Sequence, residues 1–589
     1  MASKQLLPYL APKNWWIPVI VVLVTALTLK GVLLLGFTNW DDPVYVLENS
    51  LIRNLKNDGM FTQFVSGNYH PLTLISLAID YSKGKLNPEG YHFTNYILHI
   101  LNTLLVFWII LRINSNNPYL AGVCALLFGV HPLHIESVAW ISERKDVLYS
   151  FFWLAAWLFY LQYRYTGKVI YFFITHLLFI FSCLSKAMAV TLPLVLLLSD
   201  LLLQRKWSWR WLKEKSLLGL IALGTGILAI RAQNSASAIG APADYLYFDH
   251  LLVACHGFLF YLFKGLVPLQ LSALYPYPPK IDGWLPWPFL IAPVLVLLIG
   301  GILIYLKKII NSDWLPFGIS LMVVTLLPVL QLLPVGNAFA ADRYFYLPSI
   351  GYFILLSALI NYLYEKLPQL KYLLTALVFG YIGFCIYLSL KRIPVWKDTF
   401  SLFTDVSQKF PQHPEGWNNL GIAYSDAGNY KEAINHYLRV IKINPEFGLT
   451  LNNIGNAYGQ LGILDSSIYY LEKSIRINPG NARAYSNLGN AYAIKGRSEE
   501  AQKAFEKAIQ LDPNFHEPYH NLGAFYAIQG KYDIALPYFK KSIEKLIDYK
   551  DGWFGLGITY QALGDTVAAN QALLKAAQLG HPKAQELMR

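Results

Sequence analysis

Charge is what this 589-residue chain has least of: Asp, Glu, Lys and Arg make up 14% of it, against about 25% in soluble domains. A chain so apolar, at 55% hydrophobic and 15% aromatic, is not an ordinary soluble globule. It has only four cysteines, Cys124, Cys183, Cys255 and Cys385, all inside apolar runs. That excludes a disulfide framework and reads as small buried residues. No glycine motif for cradling a nucleotide phosphate is apparent. The net charge of +12 does not indicate nucleic acid, because many of the basic residues sit in short loops between apolar runs, where membrane orientation places them.

What is present divides sharply at Lys391-Arg392-Ile393-Pro394. Up to there the chain is a succession of apolar runs near bilayer-spanning length. Spans are expected near 16–36, 92–111, 119–139, 147–163, 169–184, 187–203, 216–231, 288–306, 314–334, 344–365 and 371–390. The first follows Lys4 and Lys13 and reads as an uncleaved signal anchor. Lys/Arg bias puts the N-terminus, Arg112, Arg164, Lys168 and the cluster Arg205, Lys206, Arg210, Lys213, Lys215 on the cytoplasmic side. The run 251–267 is ambiguous. Treating it and the aromatic, proline-rich 271–278 as interfacial keeps Lys307, Lys308, Lys366 and Lys371 inside. About 11 spans result, with the C-terminal region outside the cytoplasm. The expected fold is all-α: a polytopic membrane helix bundle over 1–392, a linker over 393–410, and a helical solenoid over 411–589.

The solenoid is read from its period. Trp417, Leu451, Tyr485, Tyr519 and Trp553 recur every 34 residues, as do Gly421, Gly455, Gly489, Gly523 and Gly557, and Tyr424, Tyr458, Tyr492, Tyr526 and Tyr560. Small residues follow in step at Ala433, Ser467, Ala501, Ala535 and Ala569, and Pro445, Pro479 and Pro513 end three units. This is the tetratricopeptide repeat signature in five units, and 583–589 reads as the remnant of a capping helix. Asn419, Asn453, Asn487 and Asn521 also keep the period, whereas the fifth unit has Gly555. A carboxamide offers both donors and an acceptor, so such a ladder would hold an extended peptide by its backbone. It resembles the asparagine ladder of the nucleocytoplasmic O-linked N-acetylglucosamine transferase.

Polar residues of the first region gather on the predicted outer side. The first loop opens with Asp41-Asp42-Pro43, in which Asp42 also suits a helix N-cap. Tyr69-His70-Pro71-Leu72, Tyr91-His92-Phe93-Thr94-Asn95, His131-Pro132-Leu133-His134-Ile135-Glu136, Glu143-Arg144-Lys145-Asp146, Ser185-Lys186 and Ala341-Asp342-Arg343-Tyr344 follow. Ionisable groups at membrane depth are functional candidates by default. His131, His134 and Glu136 are read as substrate-binding groups, metal ligands or structural contacts; no fourth ligand is evident, and no metal is assigned.

Taken together, Asp41-Asp42, Y-H-x-x-N at Tyr91, His92 and Asn95, H-P-x-H-x-E…R-x-D over 131–146, and A-D-R-Y-x-Y-L-P over 341–348 resemble the transmembrane and tetratricopeptide repeat-containing (TMTC-like) O-mannosyltransferase family, within the C-fold (GT-C) membrane glycosyltransferases. His70 departs from the arginine of that family's Y-R-P-L. The resemblance implies transfer of a sugar, mannose by the family name, from a polyprenyl-phosphate donor to Ser/Thr hydroxyls of a protein, with no cofactor. Asp41 is then the expected base, with Asp42 orienting it or binding the sugar. Arg343, Arg144 and Lys186 are the expected phosphate contacts, and His92, His131, His134, Glu136, Asp146 and Tyr346 the other donor-binding candidates. The expected partners are the lipid donor, the bilayer and an extended peptide in the repeat groove. Other readings are a lipid or glycan ligase of the same fold and a membrane-anchored scaffold without catalysis. The lack of an N-x-S/T sequon favours a bacterial plasma membrane over the endoplasmic reticulum.

Overall fold

The computed structural model describes residues 14–588 apart from 115–116, 206–208, 237–244 and 311. Lys4, Lys13, Lys206, Arg589 and the Arg210 side chain lie outside the described residues. The chain forms two compact units, Met1–Asp405 and Val406–Arg589.

The first unit is helical, and its helix starts follow simple capping rules. Asn87 and Asn117 accept from Glu89 N and Leu120 N, 3.1 and 3.2 Å away. Each precedes a proline whose missing N–H costs nothing at a first helical position. Among the described residues, five helices are long and apolar enough to cross a membrane: Trp16–Leu34, Pro88–Ile113, Trp211–Ser235, Trp287–Ile310 and Pro368–Trp396. The pair Pro118–Val130 and Pro132–Ala139, bent by 51°, makes a sixth if it is one span. With its bilayer-length apolar helices, the chain is an integral membrane protein. The expected tally of about 11 draws its remaining members from shorter helices, Val169–Ser185, Ala187–Leu202 and Trp314–Val329, and from the more polar Arg144–Thr166 and Pro348–Lys366.

The ambiguous 251–267 run is helical up to Leu266, within Tyr247–Leu266. The proline-rich stretch after it is extended: Tyr275–Pro276 pairs antiparallel with Ala338–Ala340, as residues next to proline favour. This short ribbon leads directly into the Asp342–Phe345 turn. The stretch expected as a linker is ordered. Ile393–Trp396 and Thr399–Lys409 are helical, Trp396 and Leu402 are fully buried, and Asn39 N donates to Thr399 Oγ1 at 3.0 Å.

The second unit consists of five helix pairs, from Pro414–Asp426 with Tyr430–Ile443 to Lys550–Ala562 with Thr566–Gln578, closed by Pro582–Leu587. Each pair turns on a glycine in left-handed conformation, Gly428, Gly462, Gly496, Gly530 and Gly564, at φ from +74° to +83°. A side chain there would strain the turn. Tyr437, Leu471, Phe505, Phe539 and Leu573, again 34 apart, press against the consensus glycines; a Cβ on Gly421 would meet Tyr437 Cε1 at 2.3 Å.

Within the bundle, Trp314–Leu326 and Pro348–Lys366 cross at facing glycines, as small residues allow in membranes. A Cβ on Gly351 would lie 2.5 Å from Gly318 O and 2.6 Å from Met322 N. Gly351→Ala should therefore destabilise by about 1–3 kcal/mol through overpacking. Gly380→Ala, which meets nothing within 4 Å, should not. Thermal unfolding of the detergent-solubilised protein compares them, and equal midpoints would refute the close crossing.

Candidate functional site

Four separate stretches of the first unit bring charged side chains together: the loop after the first span, the broken segment 131–146, the end of Val169–Ser185, and the Asp342–Phe345 turn. The two aspartates at Asp41-Asp42 part company at once. Asp42 is fully buried and its carboxylate is saturated. Oδ2 accepts Thr38 N at 2.8 Å and Thr38 Oγ1 at 3.1 Å, while Oδ1 accepts Ser142 N at 3.1 Å and Ser142 Oγ at 2.5 Å. It does not cap the Pro43–Leu47 turn; it pins the first loop to the Ile141–Glu143 turn. Asp41 keeps 30% of its side chain exposed, with Lys145 Nζ 4.0 Å away. Burial raises its carboxyl above the ordinary aspartate range, and the Lys145 charge pulls the other way.

Glu143, 1% exposed, is the centre of the cluster. Lys145 Nζ and Arg343 Nε each lie 3.3 Å from its Oε1, and Lys186 Nζ lies 3.3 Å from Oε2. Burial alone would raise this carboxyl, but the three cations outweigh it and hold it below the usual range. Lys186 also pairs with Asp146, which accepts Ser137 Oγ at 3.1 Å. Arg343 pairs with Glu136 through its side chain and, at 3.1 Å, through its backbone N–H. The Lys145 ammonium rests 4.6 Å over the Tyr45 ring, and the Arg343 guanidinium 5.5 Å over Trp140. Trp140 is itself stacked between Trp40 and Trp396, at 4.9 and 5.7 Å.

Of the residues singled out from sequence, Asp41, Glu136, Asp146, Lys186 and Arg343 are thus brought together. Others are held elsewhere. Arg144 is fully buried. It pairs with Asp80 at 2.7 Å, with Ser76 Oγ and Tyr91 O at 2.6 and 2.8 Å, and with Asn95. All three of its guanidinium nitrogens are engaged, and its charge is paired with Asp80, which sets it apart from the cluster around Glu143. The His92 ring lies 3.3 Å from Gly36 O, His131 3.2 Å from Gly265 O, and His134 2.7 Å from Phe128 O. His131, His134 and Glu136 therefore serve three different partners instead of one centre. Tyr346 is buried and bonded to His99 and Asn102, at 2.7 and 3.1 Å.

Sequence reasoning missed Glu143 and Lys145 as members of the cluster, although both stand in the quoted Glu143-Arg144-Lys145-Asp146. The turn-to-helix change at Arg144 sends that one residue of the four away from the others, and no spacing rule reveals it. Asp80, the partner of Arg144, had no sequence signal at all.

In the repeats, each asparagine of the ladder gives one amide hydrogen to the solenoid. Asn419 Nδ2 donates to Glu415 O at 2.9 Å, Asn453 Nδ2 to Asn418 Oδ1 at 3.4 Å, Asn487 Nδ2 to Asn452 Oδ1 at 3.0 Å, and Asn521 Nδ2 to Ser486 Oγ at 3.0 Å. A cavity of about 280 Å³ nonetheless opens beside Asn487 and Asn521. Asn456 and Asn490, one helical turn later, join its lining, with Phe505 and Phe525 supplying apolar wall.

Family comparison matches the Tetratricopeptide repeat models over 414–447, 450–481, 482–515 and 504–536. A Caenorhabditis elegans protein named Protein O-mannosyl-transferase F38B6.6 is 25% identical, over 64% of this chain and 54% of its own length. Protein O-mannosyl-transferase TMTC3 of Mus musculus is 25% identical over 64% of this chain and 45% of its length. Protein O-mannosyl-transferase TMTC4 of Homo sapiens is 26% identical over 63% and 57%. The chain spans about half the length of these curated relatives. It resembles the TMTC family in its motifs, its repeats and its overall similarity.

The burial of Arg144 makes a direct prediction. Arg144→Ala would strand the Asp80 carboxylate and cost about 3–5 kcal/mol, so the detergent-solubilised variant should aggregate or melt early on size-exclusion chromatography. Lys56→Ala, at an exposed position of the first loop, should elute as the wild type. A well-folded Arg144→Ala that only weakens donor binding would return Arg144 to the site.

Proposed function

We propose that this protein is a membrane glycosyltransferase that moves a sugar, mannose by likeness to its named relatives, from a polyprenyl-phosphate donor to Ser/Thr hydroxyls of a protein acceptor. The observation that carries the reading is the state of Asp41. It is the partly exposed carboxylate of a cluster whose other acids are committed to cations or to hydrogen bonds.

The chemistry divides accordingly. A hydroxyl is a weak nucleophile until a base takes its proton in the transition state; Asp41 removes the acceptor proton as the oxygen attacks the anomeric carbon. The bond from that carbon to the phosphate oxygen breaks, and the electron pair leaves with the lipid phosphate. Positive charge builds on the sugar, as in glycoside hydrolysis, and negative charge on the departing phosphate. Lys145, Lys186 and Arg343 stabilise the latter, already oriented by Glu143, so little reorganisation is needed at the moment of transfer. Asp42 acts at one remove, by fixing the loop that carries Asp41. The bilayer holds the donor's tail, and the cavity beside Asn487 and Asn521 receives the acceptor's backbone.

Asp41→Asn should lower transfer by about 10²- to 10⁴-fold while leaving the melting profile unchanged, since the loop is held by Asp42. In the wild type the base must be unprotonated, so activity falls as pH drops through its pKa. Burial raises that pKa, and the acid limb should lie above the 3.8 of a free aspartate. Full activity of Asp41→Asn with a mannosyl-phosphoryl-polyprenol donor and a Ser/Thr peptide would remove the base.

For the acceptor, Asn456→Ala and Asn490→Ala should each raise KM for a protein substrate by about two- to tenfold, the worth of one neutral hydrogen bond. KM for the donor should not move. An unchanged acceptor KM in the double variant would take the repeats out of substrate binding.

A further inference from the structure

His70 is a buried, polar side chain without an evident task. It precedes the Pro71–Gly84 helix at the N-cap position, yet its side chain makes no capping bond. It is 3% exposed, and its Nε2 has no hydrogen-bond partner. A buried nitrogen left unpaired is uncommon and calls for an explanation. Packing supplies half of one: the ring lies 5.2 Å from the Tyr45 ring. A phenyl group would pack equally well there, so the nitrogen is what remains to be explained.

The surroundings of His70 are cationic. Lys145 sits over the same Tyr45 ring at 4.6 Å. Thr73, in the first turn of the helix that His70 begins, donates to Ser185 O at 2.9 Å, which draws that helix end to the residue before Lys186. In this helix Pro71 has no N–H and Thr73 N donates to His70 O at 3.0 Å, so the first turn contributes the Leu72 N–H and the positive end of its dipole, which favours an anion.

We propose that the N-terminal end of the Pro71–Gly84 helix, the Nε2–H of His70 and the ammonium groups of Lys145 and Lys186 together seat the phosphate of a lipid phosphate. The inference rests on the polyprenyl-phosphate reading for the identity of the lipid; the anion seat itself rests on these residues. Burial, then the charges of Lys145 and Lys186, lower the imidazole pKa to about 3. His70 therefore meets the phosphate as a neutral hydrogen-bond donor, adding direction without adding a further charge to an already crowded cluster.

The test separates packing from donation. Full-length protein in detergent is titrated with undecaprenyl phosphate, and binding is read from the shift of its melting temperature. His70→Phe keeps a ring against Tyr45 but has no N–H; His70→Gln keeps an N–H near the Nε2 position but no ring. Affinity should fall about tenfold or more in His70→Phe, as for a lost bond to a charged group, and stay within about threefold in His70→Gln. Inorganic phosphate should compete with the lipid in the wild type and in His70→Gln. His70→Leu stands in if the phenylalanine variant does not fold. A structural role reverses the order, with Phe neutral and Gln damaging, and that result overturns the proposal. So does a wild type that does not bind undecaprenyl phosphate. Failure of the transferase reading looks different: the binding pattern holds, but the wild type transfers no sugar to Ser/Thr peptides.

Discussion

One buried carboxylate organises the outer end of the bundle. Lys145, Lys186 and Arg343 come from three different stretches of chain, and each reaches Glu143 at 3.3 Å. Without that negative charge, pairs of these cations at 4–8 Å would repel by about 2–4 kcal/mol at an effective dielectric of 20. The broken segment, the end of the Val169–Ser185 helix and the Asp342–Phe345 turn would have no reason to meet. Glu143 is thus to the cations what Asp42 is to the first loop. Each is a buried acid that exchanges its own reactivity for the position of something else.

The pairing of Asp41 with Asp42 shows how hydrogen bonding, not residue type, assigns roles. Four donors converge on Asp42 and leave its oxygens no free direction. Asp41, one residue earlier, keeps part of its side chain exposed, with Lys145 Nζ 4.0 Å away. Adjacent residues diverge in side-chain direction, so two carboxylates in sequence become one anchor and one free acid. An exchange of their environments would exchange their roles, because nothing in either side chain distinguishes them.

How much was legible in the sequence follows from which forces are local. The 34-residue period carries helix pairs, turn glycines and core contacts alike, and the structure repeats them unit by unit, because each repeat packs only on its neighbours. The charged cluster was half legible: Asp41, Lys186 and Arg343 stood out as ionisable groups beside apolar runs. What the sequence could not show is the change of backbone direction at Arg144. It sends one residue inward to Asp80 and its neighbours on either side toward Asp41 and Arg343. Arg144 and Lys145 are both cations in one motif, and their partners separate them: Asp80, Ser76, Tyr91 and Asn95 for Arg144, Glu143 and Asp41 for Lys145. The order of 393–410 was hidden for a related reason: it depends on Trp396 and Phe403 finding the distant rings of Trp140 and Trp40.

The asparagines of the repeats extend the same point to binding. Periodicity identified Asn419, Asn453, Asn487 and Asn521 as a set; Asn453, Asn487 and Asn521 each give an amide hydrogen to the preceding repeat, and Asn419, in the first unit, gives one to Glu415 O of its own helix. A residue that staples one repeat to the last must recur every 34 positions whether or not a ligand exists, so recurrence alone measures architecture. Function has to be sought in what the staples leave over. Asn456 and Asn490 occupy a register that the first and fourth units fill with Ile422 and Ala524, and so break the period. They line the cavity, with Phe505 and Phe525 beside them. Where a repeat protein departs from its own repetition, it ceases to be explained by packing between units, and polar groups placed there in a groove have a ligand as their most economical explanation.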